Sequence, residues 1–209
     1  LVEHAFAFDR PLTGLEIELN LVDGDWQPAM ANMRVLEAIA DPAYQTELGR
    51  YNIELNVPPR PLPGDSALEL EALLRSSLDH AEGKARETGA GIVMIGILPT
   101  LQPEHLDGDW MSISPRYAAL DEAVFAARRE DLELEIVGAE SLRMFSPTIA
   151  PESACTSVQL HLQVSPAEFA DNWNAAQILA GPQLALGANS PFLFGRRLWA
   201  ETRTELFLQ

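Results

Sequence analysis

Gly14-Leu15-Glu16-Ile17-Glu18-Leu19-Asn20-Leu21-Val22 alternates apolar and polar residues with a period of two, the signature of a half-buried strand. Leu15, Ile17, Leu19 and Leu21 share one face, and Glu16, Glu18 and Asn20 share the other. The same rhythm returns twice. In Thr46 to Val57 (TELGRYNIELNV), Tyr51, Ile53, Leu55 and Val57 oppose Asn52, Glu54 and Asn56, and Pro58-Pro59 is expected to end the strand. In Thr156 to Val164 (TSVQLHLQV), Val158, Leu160, Leu162 and Val164 oppose Ser157, Gln159, His161 and Gln163. Three one-faced strands fit an antiparallel sheet with one side on a core and the other polar.

Helical patterns lie around these strands. Asn32 to Ala40 predicts a short helix, with Asn32 as its N-cap and Pro42 as its stop. Asp65 to Thr88 repeats Leu68, Leu70, Leu73, Leu74 and Leu78 at helical spacing, and Gly89 closes it. Gly91 to Leu98 (GIVMIGIL) has the length and apolarity of a buried strand. Further helices are expected over Pro115 to Arg129, over Pro166 to Leu186 with a kink at Gly181-Pro182, and over Arg197 to Leu208. Asn189-Ser190-Pro191 reads as a turn. No internal repeat and no regular βαβ alternation is visible, so the expected class is α+β with a largely antiparallel sheet, in a single domain over residues 1–209.

Composition narrows the partners. Acidic residues outnumber basic ones 31 to 14 among 209 residues, and a surface so negative repels phosphate backbones and anionic lipid. No stretch reaches the roughly 20 apolar residues of a membrane-spanning helix. Leu1-Val2-Glu3-His4 is acidic rather than basic, unlike a secretory signal. The chain is therefore expected in the cytoplasm and, lacking an initial Met, to begin inside a longer protein. Cys155 is the sole cysteine; it makes neither an internal disulfide nor a multi-cysteine metal site, and it reads as a small buried residue.

The polar strand faces allow two readings. If the strands are neighbours, Glu16, Glu18, Glu54 and His161 converge. Carboxylates packed so closely raise one another's pKa unless a cation neutralises them. Hard oxygen ligands of this kind suit Mg²⁺ or Mn²⁺ and, with them, phosphate. If the strands lie apart, these are solvated faces and nothing more.

The residues themselves resemble a known family. Gly14-Leu15-Glu16-Ile17-Glu18, then Glu47, then Asn52-Ile53-Glu54-Leu55-Asn56-Val57-Pro58 is similar to the opening of the glutamate–cysteine ligases, in particular the bacterial group-two and actinobacterial carboxylate–amine ligases. Ser157 to Val164 resembles the strand that carries that family's active-site histidine. Ala188-Asn189-Ser190-Pro191-Phe192, with Arg203 beyond it, resembles a substrate-side segment.

The resemblance implies the fold shared with glutamine synthetase: a curved antiparallel sheet with helices on one side and metals on its concave face. It implies Mg²⁺ (or Mn²⁺) on Glu16, Glu18 and Glu54, with Glu47 a further ligand. It places His161 against the ATP phosphates or a metal, Gln163 where it orients substrate or a ligand, and Arg203 against a substrate carboxylate. The implied reaction joins the γ-carboxylate of glutamate to an amine such as that of cysteine, through an acyl phosphate made from ATP. Partners would then be small molecules. Family members are longer, so the chain is expected to be the N-terminal part of such a ligase, inactive alone; the alternative is a non-catalytic metal- or nucleotide-binding module of the same fold.

Overall fold

The computed structural model describes residues 11–61 and 65–208; the acidic opening at Leu1 to His4 lies outside them. In chain order the elements are β1 (Leu12–Val22), α1 (Asn32–Ile39), β2 (Tyr44–Thr46), β3 (Asn52–Pro61), α2 (Ser66–Glu87), β4 (Gly91–Val93), α3 (Pro115–Arg128), β5 (Leu132–Val137), β6 (Ser141–Ser146), β7 (Val158–Leu162), α4 (Phe169–Gly187), β8 (Phe192–Leu193), β9 (Arg196–Arg197) and α5 (Thr202–Leu206). Every pairing between these strands is antiparallel, which makes the class α+β, as the strand patterns predict.

β1 is the centre of the main sheet. β3 runs along one side of it, and β2 pairs with β3 beyond. On its other side β7 pairs with Thr13 to Ile17 and β4 with Asn20 to Val22. Leu15, Ile17, Leu19 and Leu21 of β1 and Ile53, Leu55 and Val57 of β3 form one buried face, closed by Val35 and Ile39 of α1 and by Ala81 and Ala85 of α2. The helix residues nearest the strands are small, which lets α2 lie close to the sheet. Leu70, Leu74 and Leu78 pack at the margin of this core, whereas Leu68 and Leu73 face solvent. Gly89, in the left-handed region at φ 83°, ends the helix as expected. A second core joins the β5–β6 ribbon to Tyr51, Ile97, Leu101, Leu193 and Leu206.

Several expectations are corrected. The run from Thr46 to Val57 is not one strand: Tyr44, Gln45 and Thr46 pair back onto Leu55, Glu54 and Ile53, so it is a hairpin whose connection spans residues 47–51. Pro58-Pro59 does not end β3, which continues to Pro61. Between the pairs Leu15↔Val57 and Thr13↔Arg60 the register shifts, so that the two prolines lie opposite Gly14 alone. A bulge at that point removes the ladder bonds that proline, lacking an N–H, could not make. Asn32 is not a cap: it is the first residue of α1, follows Ala31 as N-cap, and sends its amide into a buried network. Only Gly91–Val93 of the GIVMIGIL run is strand; Ile97 and Leu98 reach the second core from irregular backbone. The last helix shrinks to Thr202–Leu206, because Arg196 and Arg197 pair with β8 instead. The β5–β6 ribbon went unread, although Leu132, Leu134 and Ile136 alternate with Glu133 and Glu135 ahead of a glycine.

One surface is not covered. All five residues of β7 are exposed, and the pairings Leu15↔Leu160 and Ile17↔Val158 put its apolar side next to the core face of β1. Among the described residues β7 pairs with β1 alone. α4 also buries nothing, although it carries Phe169, Trp173, Ile178, Leu179 and Leu184 and runs through Pro182.

Ile53 is fully buried, whereas Leu160 keeps 63% of its surface exposed. In the 209-residue chain, Ile53→Ala should lower the urea unfolding free energy by roughly 2–5 kcal/mol. Leu160→Ala should stay within about 0.5 kcal/mol of the unsubstituted chain. A large loss for Leu160→Ala in urea titrations would mean that its face is covered in solution.

Candidate metal and phosphate site

The polar face of the sheet carries the candidate residues. Register sets Glu18 directly opposite Glu54, and Glu16 between Asn56 on β3 and Gln159 on β7. The hairpin then returns Glu47 to the same place. One carboxylate oxygen from each of Glu18, Glu47 and Glu54 lies within 4.8 Å of the others, the one grouping of this kind among the described residues.

Each carboxylate is held by a neighbour. Glu18 accepts from Ser157 N at 2.8 Å, from Ser157 Oγ at 3.1 Å and from Gln159 Nε2 at 3.1 Å. Asn56 Nδ2 donates to Glu54 at 2.7 Å, and Leu48 N donates to Glu47 at 2.9 Å. Burial raises the pKa of Glu18 above the usual carboxylate range, with the charge of Glu54 adding to it, against the hydrogen bonds from Ser157 and Gln159. Glu47 is pushed up to about 7, first by burial and then by the charges of Glu18 and Glu54, while the Leu48 N–H and Arg116 oppose the rise. Such a set has excess negative charge and hard oxygen donors, the chemistry that a divalent cation would complement.

Glu16 lies on the same face but outside this grouping. Its Oε1 is 3.3 Å from His161 Nε2. Glu16, His161 and Gln163 line a cavity of about 830 Å³ together with Asn56 and Gly14. Glu18, Glu47 and Arg203 line another, of about 920 Å³, with Gln159, Asn189 and Glu201. The predicted residues therefore fall into two groups along one strand face.

Arg203 is engaged within the protein. Nε donates to Glu201 Oε1 at 2.6 Å, Nη2 to Glu201 Oε2 at 2.5 Å, and Nη1 to Thr156 O at 2.6 Å. Burial by itself would raise Glu201, but the hydrogen bonds from Arg203 and Ser190 outweigh it and hold this carboxylate below its usual range. Asn189 Oδ1 accepts from Gly96 N at 3.1 Å. A Cβ at Gly96 would stand 2.5 Å from that oxygen and 2.8 Å from the Arg203 guanidinium carbon, so any side chain there would push Asn189 and Arg203 from these positions. Glu201 and Gly96 were not foreseen; their one signal is position, Glu201 two residues before Arg203 and Gly96 inside an apolar run. Cys155 also lines this cavity, and burial pushes its thiol well above the ordinary value, which disfavours the thiolate.

Comparison with known proteins supplies the context. The model of Glutamate-cysteine ligase family 2 (GCS2) matches residues 12–209. No match was found among the curated proteins. Among solved structures, a bifunctional glutathione synthetase from Pasteurella multocida is similar with a TM-score of 0.45 and 16% identity, over 79% of this chain and 19% of that one.

The raised pKa of Glu47 has a measurable sign. Between its unfolded value of 4.5 and about 7, the folded state binds the proton more tightly, so stability is fully present below pH 4.5 and is lost as pH rises through 7. Glu18 acts in the same direction, and the opposite contribution of Glu201 falls below pH 4.5. Without metal, Tm should fall from pH 5 to pH 7.5, and Glu47→Gln should flatten that fall. Parallel Tm profiles for the two proteins would show that Glu47 ionises as an ordinary surface acid.

Proposed function

The chain belongs to glutamate–cysteine ligase family 2, and from that membership we propose that it is the N-terminal part of an ATP-dependent carboxylate–amine ligase that makes a γ-glutamyl amide. The observation that carries this reading is the convergence of Glu18, Glu47 and Glu54 on the polar sheet face. The fold is proposed to be the one that this family shares with glutamine synthetase, its polar sheet face holding the reactants.

In this reading Glu18, Glu47 and Glu54 hold Mg²⁺ or Mn²⁺. A bound ion would supply the positive charge that phosphoryl transfer needs and an acidic face cannot provide. Glu16 and His161, paired in the neighbouring cavity, take the side toward ATP, with Gln163 orienting what binds there. The γ-carboxylate oxygen of glutamate attacks the γ-phosphorus of ATP and releases ADP. The amine nitrogen then attacks the acyl carbon, the C–O bond to phosphate breaks, and the amine gives up a proton. Arg203 meets a substrate carboxylate with the N–H groups left over from Glu201 and Thr156, a charge-assisted contact fixed in direction by that ion pair. ATP supply fits a cytoplasmic enzyme, and no described helix is long and apolar enough to cross a membrane.

The exposed apolar side of β7 and the unburied α4 favour the fragment reading over a free-standing module. The remainder of the ligase would extend the sheet from β7 and cover both. The 209-residue chain alone is then a metal-binding half-site with little or no ligation.

Two outcomes follow. Mn²⁺ at a hundredfold its dissociation constant should stabilise the chain by approximately 2.7 kcal/mol, seen as a rise in Tm that Glu47→Gln with Glu54→Gln abolishes; a wild-type Tm indifferent to Mn²⁺ would remove the metal site. In a longer parent carrying the rest of the family domain, ADP release that requires both glutamate and an amine should drop on the order of 10²–10³-fold in Glu18→Gln. Undiminished turnover in that variant would exclude Glu18 from the chemistry.

A further inference from the structure

Glu18 and Glu54 stand on a strand ladder, where register fixes them. Glu47 has no such support, since it opens the connection 47–51. Two neighbouring carboxylates crowd it, and a side chain on a connection relieves such crowding by turning toward water unless the backbone is held. Something holds it in place.

Three consecutive carbonyls, that of Thr46 at the end of β2 and those of Glu47 and Leu48 in the connection, accept hydrogen bonds from one neighbouring segment. Tyr117 Oη donates to Thr46 O at 3.0 Å, Ser112 Oγ donates to Glu47 O, and Ser112 N donates to Leu48 O at 2.9 Å. Arg50 N in turn donates to Trp110 O at 2.7 Å, and Gly49 forms an antiparallel bridge with Met111. Asn32 Nδ2 donates to Ser112 Oγ at 2.7 Å, which leaves the hydroxyl proton for Glu47 O. Asn32 and Ser112 are 1% and 3% exposed, so water cannot replace a bond lost there. Neither Ser112 nor Tyr117 lines the cavity beside the carboxylates.

We propose that Ser112 and Tyr117 are positioning residues for Glu47. The segment from Trp110 to Tyr117 straps the acidic loop to the sheet and keeps its carboxylate beside Glu18 and Glu54, acting through three backbone carbonyls rather than by contact with a ligand. The inference rests on the metal-site reading above. It differs from that reading in saying which residues outside the site set its affinity for metal. Supports of this kind, one layer behind the ligands, typically change metal affinity 10–100-fold.

The test is a double-substitution cycle read with Mn²⁺ alone, by the electron paramagnetic resonance signal of free Mn²⁺ over the 209-residue chain. Tyr117→Phe removes one hydroxyl and keeps the ring, so the fold is retained. It should weaken Mn²⁺ binding about tenfold. In a Glu47→Gln background the same change should shift affinity less than about twofold, because the residue it positions no longer contributes. Metal-free Tm should fall equally in both backgrounds. Ser112→Ala should repeat the pattern with a larger loss, and Ser112→Thr, which keeps the hydroxyl, should restore affinity. Equal weakening by Tyr117→Phe with and without Glu47, or no weakening in either, overturns the positioning role while leaving the metal site standing. A wild-type chain that takes up no Mn²⁺ at millimolar concentration overturns both.

Discussion

The pairing of β1 with β3 is the constraint on which the rest depends. Side chains alternate with a period of two, so a slip of one residue would turn every apolar side chain of β1 toward the polar face. Leu15, Ile17 and Leu19 lie against Val57, Leu55 and Ile53 and are at most 6% exposed. Burying each such side chain stabilises by about 1.5–3 kcal/mol. The same register forces Glu18 opposite Glu54, an arrangement of like charges that opposes folding by roughly 1 kcal/mol or less. The core decides, and the acidic face follows from it.

Buried amides carry that register outward. Asn52 Nδ2 donates to Asn20 Oδ1 at 3.0 Å, and Asn20 Nδ2 donates to Ile95 O at 3.1 Å and to Thr156 Oγ1 at 3.3 Å. Asn20 and Asn52 are essentially without solvent contact. They lie at the end of β1 where β4 succeeds β7 as its neighbour, and the hydroxyl of Thr156 ties the approach to β7 to the same point. Ser157, next in the chain, is the residue whose N–H and hydroxyl hold Glu18. Polar groups so deeply buried are satisfied in few arrangements; all but Asn52 Oδ1 of these amide atoms have a partner, which restricts how the three segments can lie.

The strand face borders two cavities, one with Glu16 and His161 and one with Glu18, Glu47 and Arg203. Alternate residues of β1 face the same way about 7 Å apart, so Glu16 and Glu18 address neighbouring volumes without sharing one. The ion pair of Arg203 with Glu201 lines the second cavity, and the absence of a side chain at Gly96 leaves room for it.

The alternation of β1, β3 and β7, the amphipathic α2 with its closing glycine, and the α+β class were legible in the sequence, because a two-residue period and a helical period are local properties. So was the membership of Glu18, Glu54 and Glu47 in one family pattern. Their meeting was implied by the resemblance, but periodicity alone did not give it. On a single strand over residues 46–57, Glu47 and Glu54 would point to opposite faces, an odd number of residues apart, and be separated by roughly 23 Å. The chain instead turns back at 47–51 and pairs Gln45 with Glu54, which carries Glu47 to its partners. Glu16 shows the converse: its spacing from Glu18 placed both on one face, yet β7 drew it into a pair with His161. Periodicity fixes which way a side chain points along its own strand. Which strand comes to lie beside it is decided by core packing and by backbone hydrogen bonds between residues far apart in the chain, and only the tertiary structure holds that information.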